Sequence, residues 1–148
     1  MLRNKMSFTF DSLTENESFA RNVVASFCLP LNPTVDEIIE IKTAVSEAVT
    51  NCVVHAYPTK VGKITIEVGL DKDTIYIAVK DKGKGIEDIE KALEPFYTTK
   101  PEQERTGMGF TVMESFMDSV SVSRNKHNGI TVTMRKTIKG SELKQEVS

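Results

Sequence analysis

The chain has 148 residues, of which 39% are hydrophobic and 27% charged, and its net charge is −2. This length suits one domain with a buried core, and the mixed charges argue against a surface that coats nucleic acid. No apolar run is long enough to cross a bilayer, and residues 1–10 lack the apolar core of a secretory signal. The two cysteines show no metal-ligand spacing. We therefore expect a cytoplasmic protein with reduced thiols, one domain over residues 1–138, and a flexible tail over 139–148.

The first third of the sequence predicts a strand followed by two helices. Met6, Phe8 and Phe10 alternate with polar residues, which is typical of a half-buried strand. A capping-box pattern at residues 14–17 predicts the start of the first helix. Another capping box, at residues 34–37, predicts the start of a second and longer helix with apolar residues at steps of three and four.

Glu47 and Asn51 are four residues apart on the second helix and should therefore share one face. They could form a polar rim, which is the favoured interpretation for an arbitrary helix. Alternatively, the Asn51 amide oxygen suits Mg²⁺, and Glu47 could orient or deprotonate an attacking hydroxyl. His55 continues the same side, and we interpret it as a structural hydrogen-bonding residue.

Two alternating runs, residues 63–70 and 74–80, predict a hairpin that ends at Asp81. Asp-Lys-Gly-Lys-Gly, residues 81–85, follows it. Such a segment is often only a turn. Its glycines would also let a flat ligand approach the backbone, and its acid could accept a hydrogen bond from an exocyclic amine.

A long polar segment, residues 96–105, leads into Thr-Gly-Met-Gly-Phe, residues 106–110. Loops of this length are usually functional or disordered, and a glycine pair that opens a helix favours phosphate binding. After that helix, Asn128-Gly129 predicts a final hairpin.

The order and spacing of these three motifs resemble the N box and the two glycine boxes of the ATPase superfamily that includes gyrase, Hsp90, histidine kinases and MutL. The resemblance covers about residues 5–136. Four stretches are particularly similar to the anti-sigma F factors of endospore-forming bacteria, which are serine kinases: residues 15–21, 41–51, 96–101 and 104–114. The resemblance implies an α+β two-layer sandwich of the Bergerat type. Its mixed, mainly antiparallel sheet would be covered on one face by helices, and residues 96–106 would form a mobile lid.

The resemblance also implies the site. Asn51 would hold Mg²⁺, Glu47 would act as base or orienter for a serine hydroxyl, and Asp81 would accept from the adenine amine of ATP. The other implied nucleotide contacts are Gly83, Gly85, Ile86, Thr98, Thr99, Lys100, Arg105, Thr106, Gly107, Met108, Gly109, Phe110 and Thr131.

For partners, the resemblance implies a homodimer that binds a sigma factor of the sigma F type and phosphorylates an anti-anti-sigma factor. Arg21 and Arg105 match partner-contact positions, although Arg21 by itself is typical of a solvated charge. The sequence departs from the family pattern at Ala56, Lys82, Lys84 and Ile130. Two alternatives remain: a stress-response anti-sigma kinase, or an ATP-gated binding module with incidental hydrolysis.

Overall fold

A computed structural model describes residues 4–83 and 109–140. The helices in these ranges are α1 (Asn16–Cys28), α2 (Val35–Asn51) and α3 (Gly109–Phe116). The strands are β1 (Asn4–Asp11), β2 (Lys63–Asp71), β3 (Thr74–Asp81), β4 (Ser119–Arg124) and β5 (Ile130–Thr137). A 3₁₀ turn (Leu29–Leu31) follows α1, and a π-helical turn (Cys52–Ala56) follows α2.

The strands form one sheet in the order β1-β2-β3-β5-β4, and each neighbouring pair in it is antiparallel. Strand residues alternate between two faces. Ile66, Ile77 and Val132 lie on the buried face, where they join Val45 and other apolar residues of the helices in one core. The predicted two-layer α+β class, with helices covering one face of the sheet, is confirmed.

Helix α2 begins at the predicted capping box. Thr34 Oγ1 accepts from the Glu37 backbone N–H at 3.1 Å, and Glu37 Oε1 accepts from the Thr34 N–H at 2.9 Å. The same carboxylate accepts the N–H groups of Lys139 at 2.7 Å and Gly140 at 3.1 Å. These contacts attach Lys139 and Gly140, the first two residues of the predicted tail, to the start of α2.

The capping box predicted for α1 is wrong. The helix begins at Asn16 without a side-chain cap, because the Glu17 carboxylate points to α2 instead. It accepts from Thr50 Oγ1 at 2.9 Å and from Arg21 Nη1 at 3.3 Å. This contact joins α1 to the end of α2 that carries Asn51.

No helix within residues 4–83 and 109–140 combines the length and the apolar character required for a membrane span.

Candidate nucleotide site

Asp81 lies at the end of β3 with only 5% of its surface exposed. Its Oδ1 accepts two backbone N–H groups, from Gly83 at 2.9 Å and from Ile130 at 3.1 Å. Its Oδ2 accepts the thiol of Cys52 at 3.6 Å. Burial, followed by the charge and hydrogen bond of Asp81, raises the pKa of Cys52 well above its usual value, so the thiol remains a donor. The fold thus holds Asp81 as an oriented acceptor.

The β4–β5 turn holds the backbone carbonyl of Asp81 through the side chain of Asn125. Its Nδ2 donates to the Asp81 carbonyl at 2.9 Å, and its Oδ1 accepts from Gly129 N at 3.1 Å. A methyl group on Gly129 would overlap the Asp81 carbonyl oxygen and lie 2.7 Å from Oδ1. Sequence reasoning found the Asn128-Gly129 turn but missed Asn125. The available signal was an asparagine at the start of a turn, where its side chain commonly bonds nearby backbone groups.

The segment after Asp81 is anchored to the π-helical turn. The Tyr57 hydroxyl accepts the Lys82 N–H at 2.7 Å and donates to the Lys63 carbonyl at 2.8 Å. Burial raises the pKa of Tyr57. A Cβ on Gly83 would lie 2.5 Å from both Cβ and O of Ala56. Gly83 is therefore a close-packing position, and this explains how the chain accommodates Ala56.

A cavity of about 40 Å³ lies beside Asp81. It brings together Asn51 of α2, Asp81 of β3 and Phe110 of α3, one residue from each predicted motif. The complete lining is Ala48, Asn51, Cys52, His55, Ala56, Asp81, Phe110, Ile130 and Val132. The cavity therefore lies where the three motifs converge.

The N-terminus of α3 abuts the polar pair of α2. A Cβ on Gly109 would lie 3.2 Å from Glu47 Oε2 and 3.3 Å from both Nδ2 and Oδ1 of Asn51. Glu47 is not among the cavity-lining residues, because it lies one helical turn before Asn51, against Gly109. Asn51 Nδ2 is buried and has no hydrogen-bond partner among the described residues. A buried amide without a partner costs free energy unless something else completes it, and the positive end of α3 favours an anion here.

The structure does not bring Thr131 to this cavity. Ile130 and Val132 line it, so the intervening Thr131 points to the opposite face of the sheet. There it pairs in register with Lys80, and its hydroxyl lies 3.4 Å from Asn125 Nδ2.

Arg21 also lies away from the cavity, on α1. Its Nη1 contacts Glu17 Oε1 at 3.3 Å and Ser46 Oγ at 3.4 Å, and 38% of its side chain is exposed. The remaining predicted residues lie outside the described ranges, as does the predicted lid: Gly85, Ile86, Thr98, Thr99, Lys100, Arg105, Thr106, Gly107 and Met108.

Comparisons with known proteins agree with this arrangement of motifs. The family model of the histidine kinase-like ATPase domain matches residues 10–136. The chain therefore belongs to this ATPase family, whose domain binds ATP. Among solved structures, the RsbU and RsbW domains of a Mycobacterium tuberculosis protein align with a TM-score of 0.65 at 18% identity. That alignment covers 91% of this chain and 32% of the other, and it supports the fold alone.

Curated relatives place the chain more narrowly. It is 55% identical over 135 residues to the anti-sigma F factor of Thermoanaerobacter sp. strain X514, an alignment that covers 91% of this chain and 94% of the relative. It is 49% identical over 142 residues to the anti-sigma F factor of Bacillus subtilis strain 168, covering 95% and 97%. Within the ATPase family, the chain belongs to the anti-sigma F factors.

Proposed function

We propose that this protein is a cytoplasmic anti-sigma factor that binds Mg-ATP, holds a sigma factor of the sigma F type, and phosphorylates an anti-anti-sigma factor on serine. The observation that carries the proposal is the meeting of Asn51, Asp81 and Phe110 at one cavity, in a chain whose relatives are named anti-sigma F factors. The domain boundaries, residues 1–138 with a tail over 139–148, remain part of the proposal.

Asp81 would accept a hydrogen bond from the adenine amine, because the residue is buried, its carboxylate is oriented by backbone N–H groups, and it lines the cavity. The phosphates would lie toward Gly109, where the side chains of Glu47 and Asn51 approach the first residue of α3 and where helix N–H groups favour an anion. Some predicted contacts lie outside the described ranges: Gly85 and Ile86 would line the base, and Arg105 would lie near the γ-phosphate.

Glu47 would orient or deprotonate the serine hydroxyl of the protein substrate. Its carboxylate lies at the N-terminus of α3, next to where the γ-phosphate would lie. Phosphoryl transfer passes through a loose transition state, so the contribution of the protein is mainly positioning and charge stabilisation.

Asn51 would hold Mg²⁺. The ligand atom would be Oδ1, since Mg²⁺ takes oxygen ligands. The neighbouring Nδ2, which is buried and lacks a partner in the described chain, is a donor and would bond an acceptor such as a phosphate oxygen. No group of three His, Cys, Asp or Glu side chains within the described ranges could hold a metal. That suits Mg²⁺, which keeps several waters and binds through few protein ligands together with phosphates. When bound, the ion would neutralise charge on the β- and γ-phosphates.

The homodimer is supported by an apolar groove on α1 and β1, lined by Met6, Phe19, Asn22, Val23, Ser26 and Phe27. Phe19 is 53% exposed, and exposed apolar patches of this kind usually mark an interface. We propose a second copy of the chain as the occupant. A monomer in analytical ultracentrifugation at micromolar concentration would contradict this part of the proposal.

The Glu47→Gln variant tests the chemistry. We expect serine phosphorylation of the anti-anti-sigma factor to fall by at least about a hundredfold, because general-base or orienting groups contribute about 10²–10⁴. ATP affinity, measured by calorimetry, should change little. The exposed Glu114→Gln on α3 is the matched control. An equal loss of ATP binding and phosphotransfer would make Glu47 structural. Sigma binding without phosphotransfer in the wild type would favour the ATP-gated binding module.

Titration of labelled sigma factor into the protein tests whether the sigma factor is a binding partner and whether its affinity depends on the nucleotide. Binding should be tighter with ATP than with ADP, and Arg21→Glu should weaken it without lowering ATP affinity. Lys126→Glu, an exposed charge reversal on the β4–β5 turn, is the control. Identical affinities in ATP and ADP would exclude nucleotide gating. Binding of a stress-response sigma factor in place of sigma F would select that alternative.

A further inference from the structure

The two oxygens of Asp81 differ in how many donors they already have. A carboxylate oxygen accepts about two hydrogen bonds, and Oδ1 already accepts two, from Gly83 N and Ile130 N. Within residues 4–83 and 109–140, Oδ2 has a single donor, the thiol of Cys52 at 3.6 Å. Among the described residues, the acceptor position left for a ligand is therefore on Oδ2.

Cys52 reaches Oδ2 from the wall of the same cavity. The residue is the first of the π-helical turn that follows Asn51, it is 4% exposed, and it lines the cavity together with Asp81. An amine that entered the cavity to bond Oδ2 would share this oxygen with the thiol. The second cysteine, Cys28, is also buried but is not among the residues that line the cavity.

The geometry points to Cys52 as a positioning residue for base recognition: its thiol and the exocyclic amine of the purine share Asp81 Oδ2, and the thiol fixes this oxygen toward the base. The inference rests on the proposed ATP site and adds the atom that recognises the amine and the side chain that orients it. The thiol does not take part in the chemical step.

Infrared spectroscopy of the wild-type protein tests this directly through the S–H stretching band of Cys52, assigned by its disappearance in Cys52→Ala. Two donors on one oxygen weaken each other, so ATP should move the band to higher wavenumber. Purine riboside 5′-triphosphate, which lacks the 6-amino group, should leave the band in place. A band that moves equally with both nucleotides, or with neither although both bind, would overturn the inference.

Affinities give a second readout. In Cys52→Ala, Oδ2 is no longer fixed toward the base, and this loss should outweigh the relief of competition for the oxygen. The preference for ATP over purine riboside 5′-triphosphate should therefore fall about threefold to tenfold, the range of one ordinary hydrogen bond, and a rise in the preference would contradict the positioning role. Cys52→Ser keeps a donor and should restore most of the preference, and Cys28→Ala should leave it unchanged. An unchanged preference in Cys52→Ala, or an equal loss for both nucleotides, would reduce Cys52 to a packing residue. Failure of the wild type to bind ATP would instead refute the proposed function.

Discussion

The two ends of the candidate site differ in how many of their polar groups have hydrogen-bond partners in the folded chain. At the base end, Asp81 receives two backbone N–H groups and a thiol, and Asn125 holds its carbonyl. At the α3 end, Asn51 keeps a buried Nδ2 without a partner within the described ranges. Among the described residues, folding thus makes most of the hydrogen bonds at the base end and leaves only Asp81 Oδ2 able to accept from a ligand, whereas the α3 end contains a buried donor that has no partner before a ligand binds. We infer that the first end contributes to stability and the second to ligand response.

This difference predicts opposite behaviour on substitution. Removing a satisfied group leaves its former partners unpaired, which costs about 1–3 kcal/mol. Removing a group that has no hydrogen-bond partner leaves no other group unpaired in the free protein. Stability without nucleotide and the stability gained on adding nucleotide should therefore respond separately at the two ends.

The largest effect is expected for Gly129→Ala at the base end. The added methyl group would overlap the Asp81 carbonyl oxygen, so the β4–β5 turn must shift and Asp81 loses its orientation. We expect the free energy of unfolding in urea to fall by about 1–3 kcal/mol and ATP binding to fall below detection by calorimetry. Lys126→Ala, exposed on the same turn, is the control. Normal ATP affinity in Gly129→Ala would show that the turn does not position Asp81.

Asn51→Ala should separate stability from ligand response. The free energy of unfolding without nucleotide should stay within about 1 kcal/mol of the wild type or increase, because Nδ2, a buried donor that has no partner among the described residues, is removed. The rise in melting temperature that Mg-ATP gives the wild type should be lost. Asn4→Ala, exposed on β1, supplies the same substitution away from the site and outside the proposed dimer groove. Strong destabilisation of the free Asn51→Ala protein would contradict the proposed contrast between the two ends.

Local patterns in the sequence predicted most of what lies around this site. Alternation predicts the strands, and the Thr34–Glu37 capping box correctly starts α2, because both depend on residues close in the chain. Alternation also predicts to which face of the sheet Thr131 points. It lies between Ile130 and Val132, and their apolar side chains take the buried face, which turns Thr131 away. The family resemblance implied that Thr131 supports the adenine end, and it gave no orientation for the side chain.

The contacts that orient Asp81 could not be predicted in this way. Asn125 is 44 residues from Asp81, and only the pairing of β3 with β5 brings the β4–β5 turn behind it. Glu17 is a similar case, because its carboxylate serves Thr50, 33 residues away, and not the start of its own helix. Long-range pairing overrides a local motif whenever it offers the side chain a better partner.

The smallest expected effect lies at the far end of α2, at Glu37, which tests whether the site depends on the whole helix or only on its last turns. Burial by itself would raise the pKa of Glu37, but N–H groups of Thr34, Lys139 and Gly140 and the Thr34 hydroxyl hold that pKa below its usual value of 4.5. A carboxyl whose pKa is lowered by folding stabilises the protein above its unfolded pKa, and this contribution is lost as the pH falls through the lowered value.

Glu37→Gln keeps one acceptor oxygen of two, so at pH 7 we expect the free energy of unfolding to fall by about 0.5–2 kcal/mol, as for other helix caps. In urea titrations between pH 7 and pH 3, the difference in free energy of unfolding between wild type and Glu37→Gln should narrow below about pH 4.5. ATP affinity at pH 7 should equal that of the wild type, because Glu37 is ten residues before Glu47 on the same helix. If the difference in free energy of unfolding stays constant with pH, the carboxylate charge adds nothing to these hydrogen bonds. A loss of ATP affinity would mean that the start of α2 also positions Glu47 and Asn51.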